Sequence, residues 1–191
     1  MRNILTLGFA AMLAMSISGL ALAAGGGGGT STTSPTKLKC KKGEVVANLK
    51  KDGKTVKKDG KAVKACVKVE SGVLPDTELY EQGRALAKEG HYDWALEVLA
   101  AIENQNDPNV LNYIGYSNRK AGRLEIGITF YRKALAIDPD FVLAREYLGE
   151  GYVAVGRIDL AKTELAEIAR RCGTDCEEYK DLSEAIATAV N

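Results

Sequence analysis

Gly115-Tyr116-Ser117-Asn118-Arg119-Lys120-Ala121-Gly122-Arg123-Leu124-Glu125-Ile126-Gly127 is one of three versions of a single phrase. Gly83 and Gly90 stand seven apart, as do Gly115 and Gly122, and Gly149 and Gly156. After each second glycine comes any residue, an apolar residue, an acid, any residue, then Ala or Gly. The stretches are His91-Tyr92-Asp93-Trp94-Ala95, Arg123-Leu124-Glu125-Ile126-Gly127 and Arg157-Ile158-Asp159-Leu160-Ala161. Successive copies lie 32 and 34 residues apart. A unit of that length cannot bury its own apolar face, so repeated copies stack into a helical array.

The phrase places helix ends. Glycine closes a helix by taking the left-handed conformation, and an acid at the start of the next helix faces the positive end of its dipole. Asp76 after Pro75 reads as an N-cap, and Asp107-Pro108 as an N-cap with proline at the first helical position. Helix pairs are expected near 76–89/93–104, 108–121/125–136 and 142–155/159–171, with a last helix near 176–190. Gly83, Gly115 and Gly149 in the first helices, and Ala95, Gly127 and Ala161 in the second, leave room for close approach. The last helix, apolar on one side and acidic on the other, should cover the open end of the stack.

The two ends of the chain differ in kind. Arg2, the uncharged apolar run from Ile4 to Leu22 and the small residues of Ala21-Leu22-Ala23 read as a secretory signal peptide over 1–23. Residues 24–36, rich in Gly, Ser and Thr, read as a flexible linker. Export makes the four cysteines disulfide candidates. Three pairings can be drawn, and the spacing favours Cys40–Cys66 and Cys172–Cys176. A metal site is disfavoured, because His91 is the one imidazole and the cysteine pairs lie far apart.

Residues 37–70 form a Lys-rich β head. Residues 37–69 hold twelve Lys against three acids, whereas 70–191 hold thirteen Lys plus Arg against twenty-two acids. The formal net charge of +1 therefore conceals a basic head and an acidic body. Asp52-Gly53-Lys54-Thr55-Val56-Lys57 repeats as Asp59-Gly60-Lys61-Ala62-Val63-Lys64, and Asp-Gly suits a tight hairpin turn. Strands are expected at 44–49, 55–57 and 62–69. So few valines supply its core that the head should depend on its disulfide.

The copies over 76–173 resemble tetratricopeptide repeats. Copy three carries Leu148-Gly149, Tyr152, Ala161 and Leu165; copy two carries Leu111, Ile114-Gly115, Tyr131, Ala134 and Pro139; copy one carries Leu79, Gly83, Leu86, Ala95 and Leu99. The tryptophan of that family's motif is absent from all three. The resemblance implies a mostly α fold of three helix-turn-helix repeats plus a C-terminal capping helix over 75–191, behind a small disulfide-closed β-hairpin head. The Cys40-to-Val45 segment, Ser71-Gly72-Val73-Leu74 and the ending Cys172 to Tyr179 also resemble small exported repeat proteins of alphaproteobacteria, which implies a periplasmic or secreted location.

In that family the first helix of each repeat lines a concave groove. Carried over, the partner-binding candidates are Tyr80, Arg84 and Lys88; Asn109, Asn112, Tyr116, Arg119 and Lys120; and Glu146 and Glu150, with Leu143 and Val153 beside them. The family's carboxylate clamp does not carry over, since its pattern falls on Tyr80, Arg84, Tyr113, Leu143 and Tyr147. The implied role is a non-enzymatic adaptor for an unidentified protein or peptide, with no cofactor and no catalytic residue: the sequence offers no nucleophile–base pair or phosphate loop. Two further readings concern the head. Its lysines could touch anionic lipid or cell-wall polymer, or the head could fold back on the acidic repeats. Without arginine or an aromatic ring it is poor material for reading nucleic acid. Self-association through the repeat ends is also open to such an array.

Overall fold

The structure, a computed structural model, describes residues 38–190. The signal peptide and linker expected over 1–36 lie outside the described residues. Six short strands come first: β1 Glu44–Asn48, β2 Lys50–Lys51, β3 Lys54–Thr55, β4 Lys57–Lys58, β5 Lys61–Ala62 and β6 Lys64–Lys68. Seven helices follow: α1 Asp76–Lys88, α2 Tyr92–Ala100, α3 Pro108–Lys120, α4 Leu124–Ile137, α5 Val142–Ala154, α6 Ile158–Cys172 and α7 Glu177–Ala189. Among the described residues no helix is long and apolar enough to cross a membrane.

The helix pairs are α1/α2, α3/α4 and α5/α6, and α7 packs on α5 and α6. Gly90, Gly122 and Gly156 all take positive φ, at 87°, 83° and 74°. In each turn the following N–H reaches back to a carbonyl of the last helical turn: His91 to Leu86, Arg123 to Asn118 and Arg157 to Tyr152, at 2.8–2.9 Å. The repeated acids do more than face a dipole. Asp93 pairs with Arg123 at 3.0 Å and Glu125 with Arg157 at 2.7 Å, so each turn is tied to the next copy's turn.

Between α3 and α4 the backbones nearly touch. A Cβ on Gly127 would stand 2.9 Å from the Gly115 carbonyl oxygen and 2.9 Å from the Arg119 Cβ. Tyr131 fills the space beside Gly115 and is fully buried. Gly149 departs from the expectation that each copy's glycine serves its own partner helix, because the side chain against it is Leu182 of α7. The capping helix thus inserts a leucine where the third hairpin would otherwise leave a notch, and Leu182 is wholly buried.

Helix α2 stops at Ala100 and not near 104. Asp76 is not an N-cap; Pro75 occupies that place without a side-chain bond. The Asp76 carboxylate instead accepts from the Glu103 and Asn104 N–H groups, at 2.9 and 3.1 Å. The Gln105 amide donates to the Leu99 and Ile102 carbonyls. These partners stabilise an ended helix over a continuing one. Asp107 behaves as expected, accepting from Asn109 N–H at 2.7 Å with Pro108 next to it.

The head also departs from the expected three strands. β1 pairs antiparallel with β6, β2 with β3 and β4 with β5. Where they meet, Leu49 N–H donates to the Val63 carbonyl, Val56 N–H to Leu49 and Val63 N–H to Val56, at 2.7–2.9 Å. This closed ring makes Val56 a junction and splits the expected 55–57 strand. Two leaves, 50–55 and 57–62, project from the ring. Their tips have positive φ at both central residues, Asp52-Gly53 and Asp59-Gly60, the geometry of a type I′ turn. Both expected disulfides are formed, Cys40–Cys66 and Cys172–Cys176.

The head docks on the first repeat. Gln82 of α1 gives its side-chain amide to β1 as a neighbouring strand would: Val46 N–H donates to Gln82 Oε1 at 2.8 Å and Gln82 Nε2 donates to the Val46 carbonyl at 3.0 Å. Trp94 Nε1 of α2 donates to the Glu44 carbonyl at 3.0 Å. Val45 joins the buried core of the repeats. Among the described residues, Lys42, paired with Glu97 at 3.2 Å, is the head cation that follows the expectation of a basic head on an acidic body.

Candidate functional site: a tyrosine-lined face of the first helices

Helices α1, α3 and α5 carry the candidate residues on faces set by three- and four-residue spacing. Tyr80 meets Tyr113 edge-on at 5.8 Å between ring centroids; Tyr113 meets Tyr116 at 5.8 Å; Tyr116 meets Tyr147 at 5.2 Å; and Tyr147 meets Tyr131 at 6.0 Å. One continuous run of rings therefore crosses the three repeats, at separations where aromatic pairs attract.

Cations lie over it. Arg84 stands 5.8 Å from the Tyr113 ring, and Lys88 4.8 Å from Tyr116 and 5.5 Å from Tyr147. Lys120 lies 5.8 Å from Tyr116. Lys88 Nζ also donates to Tyr147 Oη at 2.9 Å. Arg84, Lys88 and Lys120 are exposed, so their contacts with the rings leave N–H donors facing outward. Burial, then the neighbouring Tyr113, pushes the Tyr80 phenol up to about 12. Burial likewise raises Tyr116 and Tyr147. The run is thus neutral and, past half-buried Tyr80, buried: Tyr113, Tyr116, Tyr131 and Tyr147 are 3%, 9%, 0% and 6% exposed, and the surface above them is edged by positive charge.

Not every candidate reaches that strip. Arg119 is buried, donates from Nε to Tyr131 Oη at 3.2 Å and pairs with Glu150; it braces α3 against α4 and α5. Asn109 is occupied in the α3 cap, where Nδ2 donates to Asp107. Asn112 is completely buried, and neither side-chain polar atom has a partner among the described residues. Glu146 is 5% exposed, and its carboxyl is raised to about 8 by burial first, then by Glu150, Asp181 and Glu178. Tyr80, Arg84, Lys88, Tyr116 and Lys120 are the candidates that the fold brings together in the strip itself.

Tyr113 and Tyr147 join the run of rings as packing residues, both buried in the core. The available signal was their shared offset, two residues before Gly115 and Gly149. Beyond the strip the charge reverses. An open depression of about 450 Å³ between α5 and α7 is lined by Glu150, Val153, Asp181 and Glu184, among others. Two groups of metal-ligating side chains come together among the described residues, Cys40/Glu44/Cys66 and Cys172/Cys176/Glu178. Each is built on a disulfide, whose sulfurs are no longer thiolates.

No protein-family model matches this chain, and no curated protein matches it significantly. Solved structures do resemble it. The first tetratricopeptide-repeat domain of Spaghetti (RPAP3), bound to the HSP90 peptide SRMEEVD, aligns with a TM-score of 0.54 at 15% identity, over 64% of this chain and 98% of that one. The Sgt2 repeat domain from Aspergillus fumigatus aligns at 0.54 and 17% identity, over 63% and 82%. The Yersinia enterocolitica type III secretion chaperone SycD, in complex with a peptide of the translocator YopD, aligns at 0.52 and 18% identity, over 63% and 94%. At such identities the likeness establishes the fold of the helical part, repeats of tetratricopeptide type; the capping helix and the disulfide-closed β head are seen in this structure.

Proposed function

We propose that the protein is a non-enzymatic adaptor in the periplasm or a secreted setting, and that it holds an extended segment of a partner protein across the face formed by Tyr80, Arg84, Lys88 and Lys120. One observation carries the reading: half-buried Tyr80 and the exposed cations Arg84, Lys88 and Lys120 share one face of α1 and α3, held in place by a buried run of tyrosine rings beneath them. The packed rings fix the positions of those cations, whose N–H groups are donors suited to the carbonyls and carboxylates of a bound segment. The two similar domains caught with peptides, the HSP90 peptide and the YopD peptide, support the reading. The two formed disulfides and the apolar N-terminal run support an exported location.

The charge reversal gives the strip a direction. Acidic or aromatic side chains of a bound segment suit the Arg84–Lys88–Lys120 stretch, and basic ones suit the Glu150–Asp181–Glu184 end. Site-specific photocrosslinking in the producing cell tests this. A photoreactive phenylalanine at Tyr80 or Lys120 is expected to trap a partner, whereas one at Ile126, exposed on α4, is not. Equal trapping from Ile126, or none from either strip position, would remove the proposal.

A further inference from the structure

The two leaves of the head contain an arrangement that costs stability. Lys51 stands opposite Lys54 across the tip of the first leaf, and Lys58 opposite Lys61 across the second. Opposed residues in an antiparallel ladder project from one face with Cβ atoms roughly 5 Å apart, and like charges placed so repel. Each of these ladders has only two residue pairs to weaken. The other pairs set a lysine against a small uncharged residue, Lys50 against Thr55 and Lys57 against Ala62.

No ion pair among the described residues relieves the repulsion. Every residue of the four leaf strands is exposed. The acidic repeats do not neutralise the leaves; the ion pair the head makes with them is Lys42–Glu97, outside both leaves. Residues 50–64 hold seven lysines against two aspartates, and none of the seven forms an ion pair among the described residues. Docking through β1 has consumed the apolar edge of the head and left this charged end outward.

We propose that the leaf tips are a duplicated anion clamp whose partner is an anionic phospholipid surface. Each lysine pair closes on one headgroup phosphate or carboxylate, which turns the cross-strand repulsion into shared attraction. The residue types select the partner. An ammonium group is a hydrated point charge without the planar fork of arginine, and the leaves carry no aromatic ring to stack on a base or sugar. Such a surface reads charge density and not shape. Lipid headgroups diffuse sideways to meet both tips, whereas a polymer with fixed charge spacing must already match them. Leu49, 38% exposed at the hub between the leaves, adds an apolar contact suited to the headgroup layer.

Vesicle co-sedimentation of the intact chain tests the clamp, with phosphatidylcholine vesicles registering any uptake through the apolar 4–22 run. Added phosphatidylserine is expected to strengthen binding, and high salt to abolish the gain. The variant K51Q/K54Q/K58Q/K61Q is expected to lose that gain several-hundredfold, at about fivefold per lysine near an anionic surface. Its thermal midpoint should stay level or rise, since the repelling pairs are gone, so misfolding cannot account for the loss. A variant of equal charge change on the repeats, K133Q/K162Q/R170Q/K180Q, is expected to bind as the parent does. The proposal is overturned if the leaf variant binds phosphatidylserine vesicles like the parent, or if the repeat variant loses as much. It is equally overturned if the parent binds heparin or polyphosphate but gains nothing from phosphatidylserine.

Discussion

Glu146→Gln should make the protein more stable, and by an amount that grows with pH. The Glu146 carboxyl lies on α5 at 5% exposure, with no hydrogen bond or ion pair among the described residues. Burial raises it most, then Glu150, Asp181 and Glu178, with Arg119 opposing, to about 8 from an ordinary 4.5. Its folded pKa therefore exceeds its unfolded one. Between those values the folded state holds a proton that the unfolded chain has released, so stability falls as pH rises through the window. The loss grows through the window to on the order of 2–3 kcal/mol, less than the full shift implies because solvent partly screens the carboxyl. Glutamine keeps the neutral shape at every pH. Urea unfolding of parent and variant from about pH 5 to pH 9 is the assay. The two profiles should nearly meet at the acid end and separate by that amount at the alkaline end. Parallel profiles would refute the reasoning, because they would mean that Glu146 ionises in the folded protein as easily as in the unfolded one.

Gly127→Ala gains about 1 kcal/mol of helix propensity but must fit a Cβ 2.9 Å from both the Gly115 oxygen and the Arg119 Cβ, at an overpacking cost of about 1–3 kcal/mol; differential scanning calorimetry should show a net lowering of the thermal midpoint. Gln82→Ala removes both hydrogen bonds to Val46 and leaves partly buried backbone groups unpaired, each worth about 1–3 kcal/mol. Hydrogen exchange at the Val46 amide should accelerate strongly while the amides of α3 to α6 keep their protection.

Local chemistry made most of the fold readable. Gly90, Gly122 and Gly156 need a conformation that other residues resist, so their spacing alone placed three turns, and the helix ends there fall within about a residue of expectation. The misreadings share one cause: partners distant in sequence. Asp76 looks like a cap from its neighbours, yet its carboxylate belongs to Glu103 and Asn104. Gly149 looks like the partner of its own hairpin, yet Leu182 of the last helix fills it. Val56 sits mid-strand by pattern but at the junction of a backbone ring. In the strip, exposed residues on a repeated helix face were legible. That Arg119 would be buried against Tyr131 and Glu150 was not, since arginine in a polar pattern looks the same whether it faces solvent or a phenol.

The bonds from turn to turn run in one direction only. Asp93 reaches forward to Arg123, and Glu125 forward to Arg157. His91 fills the arginine place in the first copy, and Asp159 makes no ion pair among the described residues. The two ties are thus the same, like a row of hooks and eyes. A gene that gained or lost one whole unit at its middle would keep every hook fastened, whereas a break elsewhere in the unit would strand one. Growth by whole units is thus the change of length that this molecule tolerates most readily.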